Sequence, residues 1–354
     1  PAIPFLKREK VKLKELSFFS RQLSVLIDAE LPLIQSLGLL AEQQKNKYFA
    51  RVITEVKEDV EAGAALNQAL RKHPKVFDDL YCNLVASGEQ SGSLDTMLRR
   101  LADYQESMLK LRAKVKQAMI YPAAIVTFAI IVAIFMLWKI IPVFGGIYQE
   151  LGAQLPGLTA AVLGLSNFVS DYIILIVVGL IAIVVLYRRW SKTPAGREIV
   201  DRTKLKLPVM SNLMQKISLS RFTRTLSTLI GGGVPMLESL KIASTTTDNV
   251  IIERQVLNAR QMVSEGKSLH DSLKQASQDQ FPAMMIQMVN VGESTGTLDE
   301  MLGKLANFFD DEVDNAVSSL LSALEPLVLI FVGGIVGTLV ISMYLPLFNL
   351  IQQF

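Results

Sequence analysis

Side chains that could do chemistry are few in this sequence, and the most distinctive of them are carboxylates. Glu89 and Glu293 occupy the same place in two copies of one motif, GEQSGSLDTML and GESTGTLDEML. A further acidic cluster, Asp310–Asp314, could in principle hold a cation, but a solvated helix face is the simpler interpretation. The only histidines, His73 and His270, have no cysteine or second histidine at ligand spacing. We therefore predict no metal site and no cofactor.

The sequence also argues against an enzyme. The glycine run Gly231–Gly233 is followed by Val-Pro-Met, whereas a phosphate-binding loop needs Lys-Ser or Lys-Thr there. The single cysteine, Cys82, allows no intrachain disulfide and no C-x-x-C pair. We predict no catalytic residues. The net charge of +3 is too small to favour nucleic acid as a partner.

The two motif copies belong to a duplication that extends through most of the chain. They begin at Gly88 and Gly292, a shift of 204 residues, and two pairs of prolines repeat at the same shift. These pairs are Pro122 with Pro326, and Pro142 with Pro346. Upstream, Arg21 matches Arg224 at a shift of 203, as a one-residue insertion in a surface loop would produce. The chain is therefore predicted to contain two copies of one module.

Three apolar runs are long enough to cross a membrane. Two of them are copies of each other and lie between the paired prolines, which mark their boundaries. Each has about 20 residues, and a helix of that length spans roughly 30 Å, the thickness of a bilayer's hydrocarbon core. The third run, Tyr172–Tyr187, has no counterpart in the repeat. Buried core helices are the alternative, but runs this long and this free of charge favour transmembrane helices.

Charges beside these runs predict the orientation in the membrane. Lysines and arginines precede the first run and follow the second, whereas residues 143–171 contain neither. By the positive-inside rule, both polar halves of the chain face the cytoplasm. The predicted order is a basic lead-in (1–16), a first bundle (17–116), a first span (117–142), a periplasmic loop (143–171), a second span (172–190), a linker with the start of the second repeat (191–220), a second bundle (221–324), a third span (325–346) and a short periplasmic tail (347–354). The lead-in could touch anionic lipid headgroups, although a solvated linker is the simpler interpretation.

Helical spacing of apolar residues predicts about six helices in each bundle. In the first bundle, two helices separated at Pro32 are followed by Tyr48–Ala62, Leu66–Lys72, Phe77–Ser87 and Leu94–Lys116. The last of these is expected to enter the membrane without a break. The fold class is thus an all-α membrane protein with two homologous cytoplasmic helical bundles and three transmembrane helices.

Two sets of residues are candidates for contacts with other molecules. The motif glycines would allow left-handed backbone just past a helix end. The motif glutamates could bind the backbone amides of their own loop, or present a carboxylate to a partner. The candidate partner-binding residues are Gly88, Glu89, Gly92, Gly292, Glu293 and Gly296. In the third span, Gly333 and Gly337 have the spacing that lets two helices approach closely, either within one chain or between two chains.

Several motifs together resemble the GspF/PilC family of inner-membrane proteins from type II secretion and type IV pilus systems. They are the duplicated G-E-x-x-G-x-L-D, Tyr121-Pro122, Glu325-Pro326, TP-x-GR at Thr193–Arg197 and RF-x-RTL at Arg221–Leu226. The resemblance covers nearly all of the chain, and Met343–Pro346 is closer to the pilus branch. Two features depart from the family pattern: Ser211-Asn212 replaces a frequent Gly-Pro, and the customary N-terminal segment is absent.

The resemblance implies a platform protein without enzymatic activity. A cytoplasmic hexameric assembly or retraction ATPase would engage the bundles, around Glu89 and Glu293. The spans would lie beside the transmembrane helices of pilins or pseudopilins and beside other inner-membrane assembly proteins. A homo-oligomer is expected, with a dimer as the first hypothesis. A type II secretion platform is the alternative within the family. A membrane transporter with helical regulatory domains is the alternative from another class, and the lack of ionisable residues near the middle of the spans argues against it.

Overall fold

The computed structural model describes residues 10–150, 156–191, 193–205, 210–277 and 280–351, without the side chains of 148–150, 204 and 346–351. The described residues form helices and no strands, which confirms the all-α fold class. The helices are α1 (Leu13–Asp28), α2 (Leu33–Gln43), α3 (Lys47–Glu61), α4 (Leu66–Arg71), α5 (Asp79–Ser91), α6 (Leu94–Phe135), α7 (Ile141–Glu150), α8 (Gly157–Trp190), α9 (Pro194–Lys204), α10 (Met210–Gly231), α11 (Met236–Thr246), α12 (Val250–Ser264), α13 (Leu269–Ala276), α14 (Ala283–Thr295) and α15 (Leu298–Ile351). Most of the predicted lead-in and the end of the predicted tail lie outside the described residues.

The chain divides into two units. The first contains both bundles, up to Lys114 and from Lys204 to Asp314, and the second contains Val115–Thr203 and the chain from Asn315 onward. In the first unit, α1–α5 and the start of α6 form the first bundle, and α10–α14 and the start of α15 form the second. The prediction of six helices in each bundle is therefore confirmed. Within the described residues, three stretches are long and apolar enough to cross a membrane by length and composition: Leu94–Ile147, Gly157–Trp190 and Leu298–Leu345.

The duplication is visible in how the helices begin. The side chain of Asn46 accepts hydrogen bonds from the second and third amides of α3, and Asn249, its counterpart in the repeat, does the same for α12. Pro32 and Pro235 likewise stand immediately before α2 and α11. An asparagine that caps a helix or a proline that precedes one fixes where the helix starts. Repeated sequence therefore produces repeated helix boundaries.

Each bundle has its own buried core. The first contains an aromatic cluster in which Phe19 packs edge-to-face on Phe49, with ring centroids 5.3 Å apart, and Phe77 packs in the same way on Tyr81. In the second bundle Phe222 stacks on Phe281, with ring centroids 6.2 Å apart. These positions match Phe19 and Phe77, whose ring centroids are 6.3 Å apart, so the duplication includes this contact as well as the helix ends.

The structure differs from the sequence-based prediction in three segments. Helix α5 continues to Ser91, past the predicted end at Ser87. Residues 143–171, predicted as a loop, form most of α7 and the first half of α8 in their described part, and part of the predicted linker is α9. The start of α8 is helical because Thr159, Val162 and Ser166 recur at helical spacing and are buried. These residues are too mixed in polarity to resemble a span, so hydropathy did not reveal the helix.

A π-helical turn, Met136–Ile140, separates α6 from α7. Pro142 follows it and leaves one carbonyl of the turn without a backbone donor. In this turn the N–H of Ile141 donates to the carbonyl of Met136 and not to that of Leu137. The next residue, Pro142, has no N–H to offer. The hydroxyl of Ser166, on α8, donates to the Leu137 carbonyl instead.

Pro346 likewise leaves one carbonyl of α15 without a backbone donor. An N–H at this position would bond the carbonyl of Ser342, four residues earlier, and proline lacks it. The hydroxyl of Thr159 donates to that carbonyl over 2.8 Å. Thr159 and Ser166 are two helical turns apart on α8, so one face of this helix completes the hydrogen bonds at both members of a proline pair. The helix without a counterpart in the repeat thus binds both copies in the same way.

Replacing Ser166 by alanine is expected to lower the free energy of unfolding by about 1 to 2 kcal/mol, because the partly buried Leu137 carbonyl would lose its donor. The measurement is thermal unfolding of the full-length protein in detergent, followed by circular dichroism. Ser170→Ala is the matched control, since the Ser170 hydroxyl is also buried on α8 but has no hydrogen-bond partner among the described residues. Equal losses in the two variants would contradict the assigned role of Ser166.

Candidate partner-binding sites

The duplicated motif forms a tight elbow between two helices. Gly92, just past the end of α5, has a φ of 68°, and Gly296, past the end of α14, has a φ of 73°. Both are left-handed, as predicted. In the first copy the N–H of Ser93 donates to the carbonyl of Gly88 over 2.9 Å, which satisfies a carbonyl at the helix end. The chain then begins α6 directly, so the elbow fixes how α5 crosses α6.

Gly88 and Gly292 have a different role from the one predicted. They lie inside α5 and α14, are buried, and have helical rather than left-handed backbone. A Cβ atom on Gly88 would lie 3.0 Å from the Cα of Leu94, and one on Gly292 would lie 2.8 Å from the Cα of Leu298. These glycines are therefore needed because the next helix passes too close for any side chain.

Substitution of Gly292 by alanine is expected to destabilise the second bundle by about 1 to 2 kcal/mol, because the backbone at Leu298 must move to admit the methyl group. Gly38→Ala is the control, since a Cβ there meets only the end of the Lys57 side chain, at 3.6 Å. The control should raise stability by up to about 1 kcal/mol through helix propensity alone. Thermal unfolding of both variants measures the contrast, and a stabilised Gly292→Ala protein would refute the packing argument.

The motif glutamates each bind the beginning of another helix. The carboxylate of Glu89 accepts hydrogen bonds from the N–H groups of Leu66, at 2.6 Å, and Asn67, at 3.0 Å, which open α4. In the second copy the carboxylate of Glu293 accepts from the first two amides of α13, at 2.7 and 3.0 Å. A carboxylate at a helix N-terminus satisfies free amides and interacts favourably with the helix dipole.

This geometry resembles the first of the two interpretations of the glutamates, with one difference. The amides belong to the preceding short helices α4 and α13 and not to the motif's own loop. Glu89 is half-buried and Glu293 is exposed. A carboxylate has about four acceptor positions, so two amide bonds leave room for a further donor. Partner binding at these residues stays a prediction.

The acidic cluster is paired with cations. Asp310 accepts from Arg224 over 2.5 Å and from the hydroxyl of Ser220. Glu312 and Asp314 are each 2.5 Å from a lysine, Lys216 and Lys114 respectively. The interpretation as a solvated helix face is therefore wrong for Asp310 and Glu312, whose ion pairs are largely buried, whereas the pair of Asp314 is exposed. Among the described residues no group of histidine, cysteine and acidic side chains has the arrangement of a metal site.

The second motif copy also spells G-x-S-x-G, the pattern around a hydrolase nucleophile, at Gly292–Gly296. That pattern requires a strand followed by a sharp turn and a helix. Ser294 instead lies within α14, and its hydroxyl donates to the carbonyl of Val291 over 3.0 Å. The match is therefore in sequence alone and not in structure.

Cys82 is a buried thiol. It is 2% exposed on α5, and burial raises the pKa of its thiol to about 11. The reactive thiolate is therefore scarce at neutral pH. We expect no labelling by a thiol reagent in the folded protein at about pH 8, and full labelling after denaturation. Rapid labelling of the native protein would contradict the packing around α5.

The second unit contains an apolar groove between α6 and α15. Its volume is about 400 Å³. It is lined by Gln117, Ala118, Tyr121, Pro122, Ile125, Leu321, Ser322, Leu324, Glu325, Val328, Leu329 and Val332. Many of these positions are related by the duplication, as Ala118 is to Ser322 and Ile125 to Leu329. The groove is therefore formed by the same face of both copies.

The prolines at the start of the spans leave two carbonyls of groove-lining residues without a helical donor. Pro122 lies inside α6 and leaves the carbonyl of Ala118 without its helical donor, and Pro326 does the same to Ser322 in α15. Both Ala118 and Ser322 line the groove. Pro122 itself lines the groove and Pro326 does not, while the carbonyls that Pro142 and Pro346 leave without a donor are bonded by α8.

The span glycines lie on an open surface. A Cβ atom added to Gly333 or Gly337 would meet no atom within 4 Å. Close packing within the chain, one of the two interpretations of their spacing, is therefore not seen in the described residues. Packing between chains stays a prediction.

Comparison with known proteins identifies the family. A family model described as type II secretion system (T2SS), protein F, matches residues 19–142 and again residues 222–346. The type IV pilus assembly protein PilC of Thermus thermophilus is 43% identical over 99% of this chain and 85% of its own length. PilC of Pseudomonas aeruginosa is 40% identical over 97% of this chain and 91% of its own. The type II secretion system protein F of Vibrio cholerae is 33% identical over 98% and 85%. The resemblance found in the motifs is confirmed, and the chain belongs to the type II secretion system protein F family.

Proposed function

We propose that this protein is the inner-membrane platform of a type IV pilus assembly machine. In this role it couples a cytoplasmic hexameric ATPase to the insertion or extraction of pilin subunits. Relatives named as pilus assembly proteins are 43% and 40% identical to the chain, against 33% for the secretion protein, which supports pilus use. A type II secretion platform acting on pseudopilins is the second candidate, because the family model and the Vibrio cholerae relative bear that name.

The observation that carries the proposal is the groove between α6 and α15. An apolar surface in the membrane suits the apolar transmembrane helix of a filament subunit. The carbonyls of Ala118 and Ser322, left without a helical donor by Pro122 and Pro326, add acceptors at the entrance of this surface. A subunit helix carrying a hydroxyl group could bind there and later leave, since each such bond contributes only about 1 kcal/mol.

The two bundles are the part of the chain that would contact the ATPase. The positive-inside rule supports a cytoplasmic location for both of them, on the side where ATP is hydrolysed. Glu89 and Glu293 repeat at the two elbows, and a partner with repeated subunits can contact each of these glutamates. ATP hydrolysis is the partner's reaction, and this chain transmits the resulting movement without catalysing a step.

Photo-crosslinking tests the groove. A photoreactive amino acid replaces Val328, which lines the groove, or Ile330, which lies on the same helix, is 72% exposed and is outside the lining. Pilin is expected to crosslink strongly to position 328 and weakly to position 330. Equal crosslinking at both positions would show that pilin contacts the protein without using the groove.

Co-purification tests the coupling to the ATPase. The full-length protein should retain the system's cytoplasmic ATPase and change its rate of ATP turnover. If a folded protein neither retains the ATPase nor alters turnover, the platform role is contradicted and a passive adaptor or a transporter becomes the better hypothesis. Using the pilus ATPase and the secretion ATPase side by side separates the two candidate functions.

A further inference from the structure

The two bundles meet at a joint within the first unit. The turn at residues 231–234 of the second bundle packs on α5 and α6 of the first. The hydroxyl of Ser87 donates to the carbonyl of Gly232, and a Cβ atom on Gly232 would lie 2.6 Å from the Leu84 side chain. Val234 belongs to the core of the first bundle. The joint is therefore a close, specific contact between a turn and an elbow.

The duplication supplies a second turn of the same shape. Residues 28–31 of the first bundle correspond to 231–234, and Glu30 has a φ of 60° where Gly233 has 76°. The N–H of Leu31 donates to the carbonyl of Leu26 over 3.0 Å, as Val234 does to Leu229. Asp28, Ala29 and Glu30 are exposed.

The duplication also supplies a second elbow surface, on α14 and α15. Leu84, Ser87, Met97 and Arg100 of the joint correspond to Met288, Val291, Met301 and Lys304. Val291 is 50% exposed, and the Lys304 side chain is 58% exposed. The joint therefore pairs the turn of the second bundle with the elbow of the first. It leaves the turn of the first bundle (28–31) and the α14–α15 elbow of the second bundle uncovered. A contact of this head-to-tail kind can be repeated between molecules.

The uncovered turn and the uncovered elbow have complementary chemistry. In the joint, a Cβ atom on Gly231 would lie 2.5 Å from Nη1 of Arg100 on the first bundle and 3.2 Å from Oδ2 of Asp299 on its own bundle, so the elbow it packs against offers a cation. The equivalent turn carries Asp28, and the equivalent elbow carries Lys304. The methyl group of Ala29, where the joint has glycine, would meet Met288 in place of branched Leu84, and methionine adapts more easily to a neighbour. The uncovered turn thus carries an exposed carboxylate, 3.8 Å from Arg99 of its own chain, and the uncovered elbow carries an exposed ammonium group, 2.8 Å from Glu300.

We propose that the turn Asp28–Leu31 of one molecule docks on the α14–α15 elbow of a second copy of this chain and repeats the internal joint between molecules. Each molecule offers one turn and one elbow, so two copies can bind reciprocally or several can close a ring. The contact requires only the bundles and is independent of the proposed role in pilus assembly.

Disulfide crosslinking between two tagged chains tests this contact. In the joint a Cβ atom on Gly233 would lie 3.5 Å from Oγ of Ser87, so Glu30 of one chain should lie beside Val291 of the other at a distance suited to a disulfide. One full-length chain carries Glu30→Cys, and a differently tagged chain carries Val291→Cys. Mild oxidation of membranes that contain both should yield a disulfide-linked dimer of the two tags.

A matched pair uses Ser294→Cys in place of Val291→Cys. Ser294 is exposed on the same helix, and its counterpart Gln90 stays exposed beside the joint. The Val291 pair should crosslink at least about fivefold more than the Ser294 pair, since only the former meets the geometry of a disulfide. Equal yields would overturn the proposal. Asp28→Lys on the first chain should reduce the crosslink, and Lys304→Asp on the second should restore it; a loss that is not restored would also count against the contact.

Discussion

Replacement of Arg224 by alanine is expected to lower the free energy of unfolding by about 2 to 4 kcal/mol, more than any other single substitution considered for the bundles. Its guanidinium is 2.5 Å from the carboxylate of Asp310, and the two side chains are only 18% and 25% exposed. Asp310 also accepts from Ser220. Removing the cation leaves a largely buried carboxylate with a single neutral donor.

Thermal unfolding of the full-length protein measures the effect. A fall in Tm of about 5 to 10 °C is expected if the two bundles unfold together as the single unit that they form. Arg21→Ala is the natural control, because Arg21 holds the equivalent position and bonds Glu106 at 2.7 Å, but these side chains are 32% and 38% exposed. An exposed pair contributes about 1 kcal/mol or less. If both variants lost the same stability, burial would not be the reason why the Arg224 pair matters.

Replacing Glu89 and Glu293 together by alanine is expected to cost about 3 kcal/mol or more, because each carboxylate forms two charge-assisted bonds to helix amides. The loss should be local as well as global. Hydrogen exchange at Leu66 and Asn67, whose amides bond Glu89 at 2.6 and 3.0 Å, should accelerate before the bundle unfolds. Hydrogen-exchange mass spectrometry of the variant measures this change directly.

The pair Glu89→Gln and Glu293→Gln separates the cap from a contact with the ATPase. Glutamine keeps the shape of the side chain and one acceptor oxygen, so one of the two amide bonds at each helix should remain while the charge is lost. If the charge also binds the ATPase, the glutamine variant should be folded and bind it weakly. Unchanged folding and unchanged ATPase binding in the alanine variant would contradict both roles.

The sequence was most informative where the duplication repeats a local signal. The equivalence of Arg21 and Arg224 follows from the amino-acid sequence alone, and so does that of the prolines that precede α2 and α11. Caps, turns and apolar periodicity act over a few residues, so they can be read directly. The predicted left-handed Gly92 and Gly296 are confirmed for the same reason.

The partners of these residues could not be predicted, because they are distant in sequence. Glu89 bonds amides more than 20 residues away, and Arg21 and Arg224 bond carboxylates more than 80 residues away. The sequence suggests that Gly88 should turn the chain, but its actual role depends on how closely α6 passes over α5. Spacing along the chain contains no information about that approach. The start of α8 was missed because its buried residues include a serine and a threonine, which lower its hydropathy.

Ser166 and Thr159 donate to carbonyls that Pro142 and Pro346 leave without a backbone donor. This dependence limits the order in which substitutions can accumulate. Once Pro142 has been replaced by a residue with an N–H, the helix can supply its own donor and the serine becomes dispensable. If the serine is lost first, the carbonyl is left without a donor and the variant is less stable. The proline must therefore change before the hydroxyl, so each pair tends to be kept or lost together.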